Sequence, residues 1–152
     1  MTRYAVDYLD LLLDLLRDEL PGVHVMTRIP DHITQYLPLV VVRPTGGDSY
    51  DPKFYDSPYI HTQCWTAPQA DPAAPGAVDA HRAAADLCDR VRGVLWTAWR
   101  TQRPIPGKGW ISRIRESSGP LEMADVDLPQ LGRWVATYEI RFRPWPDTTV
   151  TT

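Results

Sequence analysis

Cysteine is nearly absent, with only Cys64 and Cys88 in a chain of 152 residues. Neither has a C-x-x-C partner or a metal-ligand spacing, so a disulfide scaffold is excluded and two reduced, mostly buried thiols in an intracellular protein are predicted. Long apolar runs are missing as well. The longest, Leu11–Leu13 and Leu39–Val42, are far shorter than the ~20 residues that cross a bilayer. The first twenty residues carry five acids in place of a basic leader, so neither a membrane span nor a secretion signal is expected.

Catalytic motifs are equally scarce. The four histidines, His24, His32, His61 and His81, form no H-E-x-x-H, H-x-x-x-H or H-x-E pattern that would place two ligands or a base on one face. His61 and Cys64 share a strand, but their offset of three sends the side chains to opposite faces, which defeats a thiolate-imidazole pair. No G-x-S-x-G elbow, Walker loop or G-x-G-x-x-G occurs. Gly46-Gly47 lacks the helix and lysine context of a phosphate cradle, and Gly107-Lys108-Gly109 leads into a strand instead of a helix N-terminus. The residues predict no enzyme, no cofactor and no metal.

What is present is an ordinary globular composition, 43% hydrophobic, 23% charged and 10% aromatic, unlike a disordered or collagen-like chain. A chain of this length buries roughly 68 to 70% of the surface it exposes when unfolded, enough for one self-standing core. The net charge of -3 and the pI of about 5.7 argue against nucleic-acid binding as the main role, which calls for a basic domain with clustered Lys and Arg. The charge is unevenly placed. Residues 1–89 hold 13 acids and 6 bases, net -7; residues 90–143 hold 5 acids and 10 bases, net +5; Asp147 supplies the remaining -1. Either folding interleaves these halves, or one surface is acidic and another basic, so that identical subunits could meet head to tail.

Val6, Leu9, Leu13, Leu16 and Leu20 recur at helical spacing, with Asp7, Asp10, Asp14, Arg17 and Asp18 on the far side. Pro21-Gly22 ends that helix. Residues 23–28 read as a short strand, and 36–43 as a strand apolar on both faces, with Pro38 near its start. Residues 44–58 read as a long polar connection with Gly46-Gly47 as its turn, and Tyr59 to Thr66 alternates as a strand. After the proline-rich loop 67–76, Ala77, Ala80, Ala84, Leu87, Val91, Val94 and Ala98 mark a second helix to about Trp99. Residues 108–116 and 133–143 alternate as two strands around a second acidic connection, 117–132. The order α-β-β-β-α-β-β predicts a single α+β domain, a mainly antiparallel sheet with two helices packed on one face.

Trp96, Trp99, Trp110 and Trp134 fall where a helix and sheet would bury them. Trp145 differs: it lies in Pro144-Trp145-Pro146 beyond the last strand. The expected division is therefore a domain over 1–143 and a C-terminal tail, 144–152, that docks on a neighbouring subunit. The candidate contact residues are the acids of the two connections, 45–57 and 117–131, namely Asp48, Asp51, Asp56, Glu122, Asp125 and Asp127, with Arg113, Arg115, Arg141 and Arg143 as basic counterparts and Trp145 on the tail. A solvated sheet face of little energetic weight is the competing reading of those arginines.

Several segments together carry a likeness: Leu37-Pro38-Leu39-Val40-Val41-Val42-Arg43 with Gly46-Gly47, Cys64-Trp65, the alanine-rich helix Ala83 to Trp96, Ile114-Arg115-Glu116-Ser117-Ser118-Gly119-Pro120, and the run Arg133 to Arg143. In this order and spacing they resemble the tail terminator (tail completion) proteins of long-tailed, siphovirus-type phages, especially those of actinobacteria, over roughly residues 5–143. The resemblance implies a structural virion protein without catalysis. It implies a homo-oligomeric, hexameric ring that caps the head-proximal end of the tail tube, stops tube polymerisation and joins the head. Its implied partners are the tail tube protein and the head-tail connector or neck proteins, with DNA passing through the lumen without specific binding. Its implied locations are the host cytoplasm during assembly and then the virion. Another neck or connector role, or a small nucleic-acid-binding module, are the alternatives. Loop 68–75 and the tail after Arg143 have no counterpart in the likeness.

Overall fold

A computed structural model describes residues 7–51, 55–68 and 79–146. Asp7 opens the first helix by accepting a hydrogen bond from the Asp10 backbone N–H at 3.2 Å, satisfying a donor that a helix start leaves unpaired. That helix, α1, spans Tyr8–Glu19 and turns Leu11, Leu12, Leu15 and Leu16 inward. It is followed by β1 (His24–Met26), a 3-10 turn (Ile33–Gln35), β2 (Leu39–Asp51) and β3 (Tyr55–Thr66). Asp79 then caps α2 (Ala80–Arg100) through the His81 N–H at 3.0 Å, and β4 (Gly109–Glu122) and β5 (Gly132–Pro144) complete the chain order.

The five strands form one sheet in the order β1-β2-β3-β5-β4. β1 runs parallel to β2 and every other pairing is antiparallel. The predicted element order and the α+β class therefore hold. Both helices lie on one face: Leu11, Leu12, Leu15 and Leu16 of α1 and Leu87, Cys88, Val91 and Leu95 of α2 share a core with Val40, Val42, Ile60, Ile111, Ile114, Tyr138, Ile140 and Phe142. Cys64 and Cys88 are free, buried thiols in that core. The hydrogen bond with the Cys88 side chain first, then burial, push the Cys64 thiol well above its usual range, so it stays protonated at neutral pH.

The strand expected to be apolar on both faces is so for a visible reason. Val40 and Val42 enter the main core, whereas Leu39 and Val41 join Trp65, Leu131 and Ile33 in a second, smaller cluster on the opposite face. The 3-10 turn and the segment before β5 cover that cluster. Trp65 is its largest side chain and is fully buried; Trp96, Trp99 and Trp134 only rim the main core, half-buried.

Both long connections turn out shorter than expected. β2 continues through Gly46-Gly47 to Asp51 and pairs with β3 from Tyr55, so 45–57 is mostly an extended hairpin. Gly46 and Gly47 form an irregularity inside the strand instead of its turn. With φ of 111° and 122° they let the register shift between Pro44 and Gly47 while the ladder resumes, the usual work of glycine at a bulge. Likewise β4 runs on to Glu122 through two register shifts around Ser118, which leaves 123–131 as the connection. Alternation breaks at such bulges, so a period of two underestimates the strand length.

Gly132 marks a close approach of the start of the second helix to the sheet. Thr66 Oγ1 donates to the Ala80 carbonyl at 2.6 Å, and a Cβ on Gly132 would overlap both of those groups. Gly132→Ala should therefore destabilise the subunit by about 1 to 3 kcal/mol through overpacking, read as a lower urea midpoint with an unchanged slope.

Candidate functional site

Strand parity decides what the face of the sheet away from the helices carries. In β5 the residues Ala136, Tyr138, Ile140 and Phe142 are buried beneath the helices, so Thr137, Glu139, Arg141 and Arg143 point the other way. Register then places Arg113 beside Arg141, Arg115 beside Glu139 and Trp110 beside Arg143. On the other flank His61 stands between Arg43 and Thr137, and Tyr59 is level with Glu139. Arg113, Arg115, Arg141, Glu139 and Ser57 line a cavity of about 240 Å³. The single carboxylate lining it, Glu139, accepts from Arg115 at 2.6 Å.

Arg133 separates this cationic region from the apolar cluster on the same face. Its guanidinium lies 4.9 Å from the Trp65 ring centre and donates to Gln63 Oε1 at 3.2 Å. Gln63 Oε1 also accepts from Trp65 Nε1 at 3.2 Å, so the stack is pinned at both ends. His61 Nδ1 lies 3.0 Å from Thr137 Oγ1. Burial first, then the positive charges of Arg133 and Arg43, lower the His61 pKa from its ordinary value.

The four predicted basic counterparts are thus brought together on one patch, Arg143 at its end beside Trp110. The acids are not gathered beside them. Asp48, Asp51 and Asp56 lie on the β2–β3 hairpin, where Asp48 pairs with Ser57 and Asp51 with Tyr55; their side chains fall outside the described residues. Glu122 ends β4 and lies 3.0 Å from His81 Nδ1 at the start of α2. Asp125 Oδ1 accepts from the N–H groups of Asp127 and Leu128 at 2.9 and 3.2 Å and so shapes the β4–β5 turn. Asp127 is exposed, and Trp145 is 39% exposed just past β5. The rest of the tail, 147–152, and most of loop 68–75 lie outside the described residues.

The charge asymmetry of the chain is partly cancelled by folding. Arg103 pairs with Asp18 at 2.6 Å and also with Glu19, while Lys108 pairs with Asp14 and, at 3.4 Å, with Asp10. The acidic face of α1 is thereby matched by two cations from the connection between α2 and β4. The arginine patch on the open sheet face persists.

Two groups of residues escaped the sequence reading. The sequence places Arg43 and His61 on strands without giving them a role, although the period of two puts His61 on the face opposite Cys64. Arg133 could be found only with the β3–β5 register, because its partners are 68 and 70 positions away (133 - 65 and 133 - 63). Among the described residues no three His, Cys, Asp or Glu side chains cluster as metal ligands, and no helix is long and apolar enough to cross a membrane.

One face packed under the two helices and an opposite face carrying clustered arginines characterise this small α+β protein. Residues 4–126 match the family described as phage tail termination protein, and the chain belongs to that family. It is a structural protein of the phage tail. No curated protein matches it. The matched stretch stops before β5, so Arg141 and Arg143 lie beyond it.

The lowered His61 pKa sets a pH dependence. The unfolded chain takes up this proton more readily than the native one, so stability is complete above the ordinary histidine value of 6.5 and falls as pH drops through it. Between pH 7.5 and 5.5 the melting temperature should fall further for the wild type than for His61→Gln; parallel curves would contradict this.

Proposed function

We propose that the protein is the tail terminator itself: a homo-oligomeric ring, hexameric, that caps the head-proximal end of the tail tube, ends tube polymerisation and presents the surface to which the head joins. Family membership over residues 4–126 carries this reading. The fold supports it through two unlike surfaces on one rigid subunit, an arginine patch on the sheet and an acidic turn between β4 and β5. Unlike patches are what a heterologous contact requires, and such contacts close into a ring when the rotation between neighbours divides the circle.

In this reading no bond is made or broken. The partners are further copies of the chain, the tail tube protein and the head-tail connector or neck proteins, met in the host cytoplasm and retained in the virion. The segments 45–57 and 117–131, with Asp48, Asp51, Asp56, Glu122, Asp125 and Asp127, contact neighbours, tube or connector. Arg113, Arg115, Arg141 and Arg143 are the basic counterparts. Residues 1–143 form the ring-building domain, and the tail 144–152, with Trp145 near its start, docks on an adjacent subunit.

DNA passes through the lumen without specific binding. The clustered arginines favour one second reading, a nucleic-acid module, whereas Glu139 within the patch and the overall charge of -3 weigh against it. Tight DNA binding by the isolated protein with a steep salt dependence would support that alternative.

Two measurements test the proposal. Electron microscopy of purified tail tubes should show a collar at one end only after the protein is added, and tubes polymerising in its presence should stop growing; bare ends would refute the role. Reversing Arg141 and Arg143 together to Glu should reduce the ring fraction in native mass spectrometry at least tenfold, the equivalent of about 1.4 kcal/mol, with little change in subunit melting.

A further inference from the structure

Gly93 stands inside α2, where glycine is a poorer helix former than alanine. Nothing among the described residues calls for it. Its backbone is not in the left-handed region, and a Cβ at that position would meet no atom within 4 Å. The missing side chain leaves space in a groove of about 310 Å³ between α1 and α2, lined by Leu15, Leu20, Gly93, Val94 and Ala98 together with the polar Glu19 and Thr97 and the cations Arg90 and Arg103. Arg103 is held by Asp18 and Glu19. Arg90 is exposed and makes no ion pair among the described residues.

The turn between β4 and β5 has the opposite character. Val126 is 94% exposed and Met123 45% exposed, a projecting apolar tip flanked by Asp125 and Asp127. The tip is already ordered, which lowers the entropy cost of docking it. Asp125 caps the turn as described above, Met123 and Arg133 exchange hydrogen bonds at 3.1 and 3.3 Å, and Leu131 is buried in the second apolar cluster. It cannot fill its own groove. Glu122 holds the base of the tip against His81, and Gly93 lies twelve residues, roughly 18 Å, further along the helix.

We propose that Val126 and Met123 of one subunit seat in the α1–α2 groove of the next copy, over Gly93, with Asp127 directed to Arg90. The apolar tip meets the apolar side chains of the groove, the acid meets Arg90, the lining cation without an ion pair among the described residues, and the two surfaces lie at different places on the subunit. The contact is therefore heterologous, as a ring needs. This inference rests on the terminator reading for the ring it closes, and it seats the tip of the acidic turn on the neighbour's helices while the acids of the β2–β3 hairpin remain counterparts of the arginine patch.

Cysteine cross-linking tests it, with both native thiols buried. Gly93→Cys and Val126→Cys subunits are mixed on purified tail tubes and oxidised by dioxygen with a copper-phenanthroline catalyst. A disulfide-linked dimer is expected in the mixture and in neither variant alone, and the double variant should give a ladder that ends at the ring size. Variants that collar the tubes normally without cross-linking would overturn the contact and leave the terminator reading intact. If no collar forms even with wild-type protein, that reading falls, and cross-linking of the mixture in solution then decides the contact by itself. In addition, Gly93→Leu should raise the melting temperature of the subunit yet cut the assembled fraction at least tenfold; undiminished assembly would overturn the proposal.

Discussion

The burial of one side of β5 beneath α2 governs most of what this subunit presents to its surroundings. Tyr138, Ile140 and Phe142 lie against Cys88, Val91 and Leu95 in a single apolar seam, and water is excluded from all of them. Because strand side chains alternate, that burial leaves no choice for the residues between them. Glu139, Arg141 and Arg143 must face outward together, and antiparallel pairing with β4 aligns Arg113 and Arg115 beside them. A slip of one residue would bury three charged side chains and expose the seam, so the hydrophobic term that holds the fold also maintains the arginine patch.

The same economy applies to charge. Most acids of α1 meet Arg103 and Lys108, pairs that are solvent-exposed and individually worth little. Their effect is to reduce the negative character of the helical side, where Glu19 and Arg103 both line the groove between α1 and α2. What stands out after this cancellation is a patch of arginines on the sheet and an apolar, acid-flanked turn at one end of the β4–β5 hairpin. For a member of a phage tail family these are features of a part that works by fitting other parts, with a covered core that supplies rigidity.

Much of the architecture was legible in the residues because local patterns and tertiary structure agree. The leucine stripe of α1, the alanine-rich stripe of α2 and the alternation of Tyr59 to Thr66 and Arg133 to Arg143 each have a period that only one element satisfies. The double-sided apolar run at Leu39 to Val42 correctly signalled a strand covered on both faces. The hairpin extensions were not legible. Gly46-Gly47 and the stretch around Ser118 interrupt the alternation, and a bulge in a ladder looks in sequence like a turn or a loop. The candidate contact residues divide in the same way: the arginines of β4 and β5 were readable as one outward set, but which acids lie near them depends on how far the hairpins extend.

The amino-acid order alone determined the order and type of the helices and strands, that the two cysteines do not form a disulfide scaffold, and that a row of arginines shares one face. These follow from periodicity and from the cost of burying charge, both of which act over a few neighbouring residues. Only the tertiary structure decided that β5 lies between β3 and β4, that Arg133 stacks on Trp65, that the acids of α1 meet Arg103 and Lys108, and that Gly93 lines a groove. Those outcomes depend on contacts between residues tens of positions apart, selected by the packing of the whole core, and no local pattern encodes them.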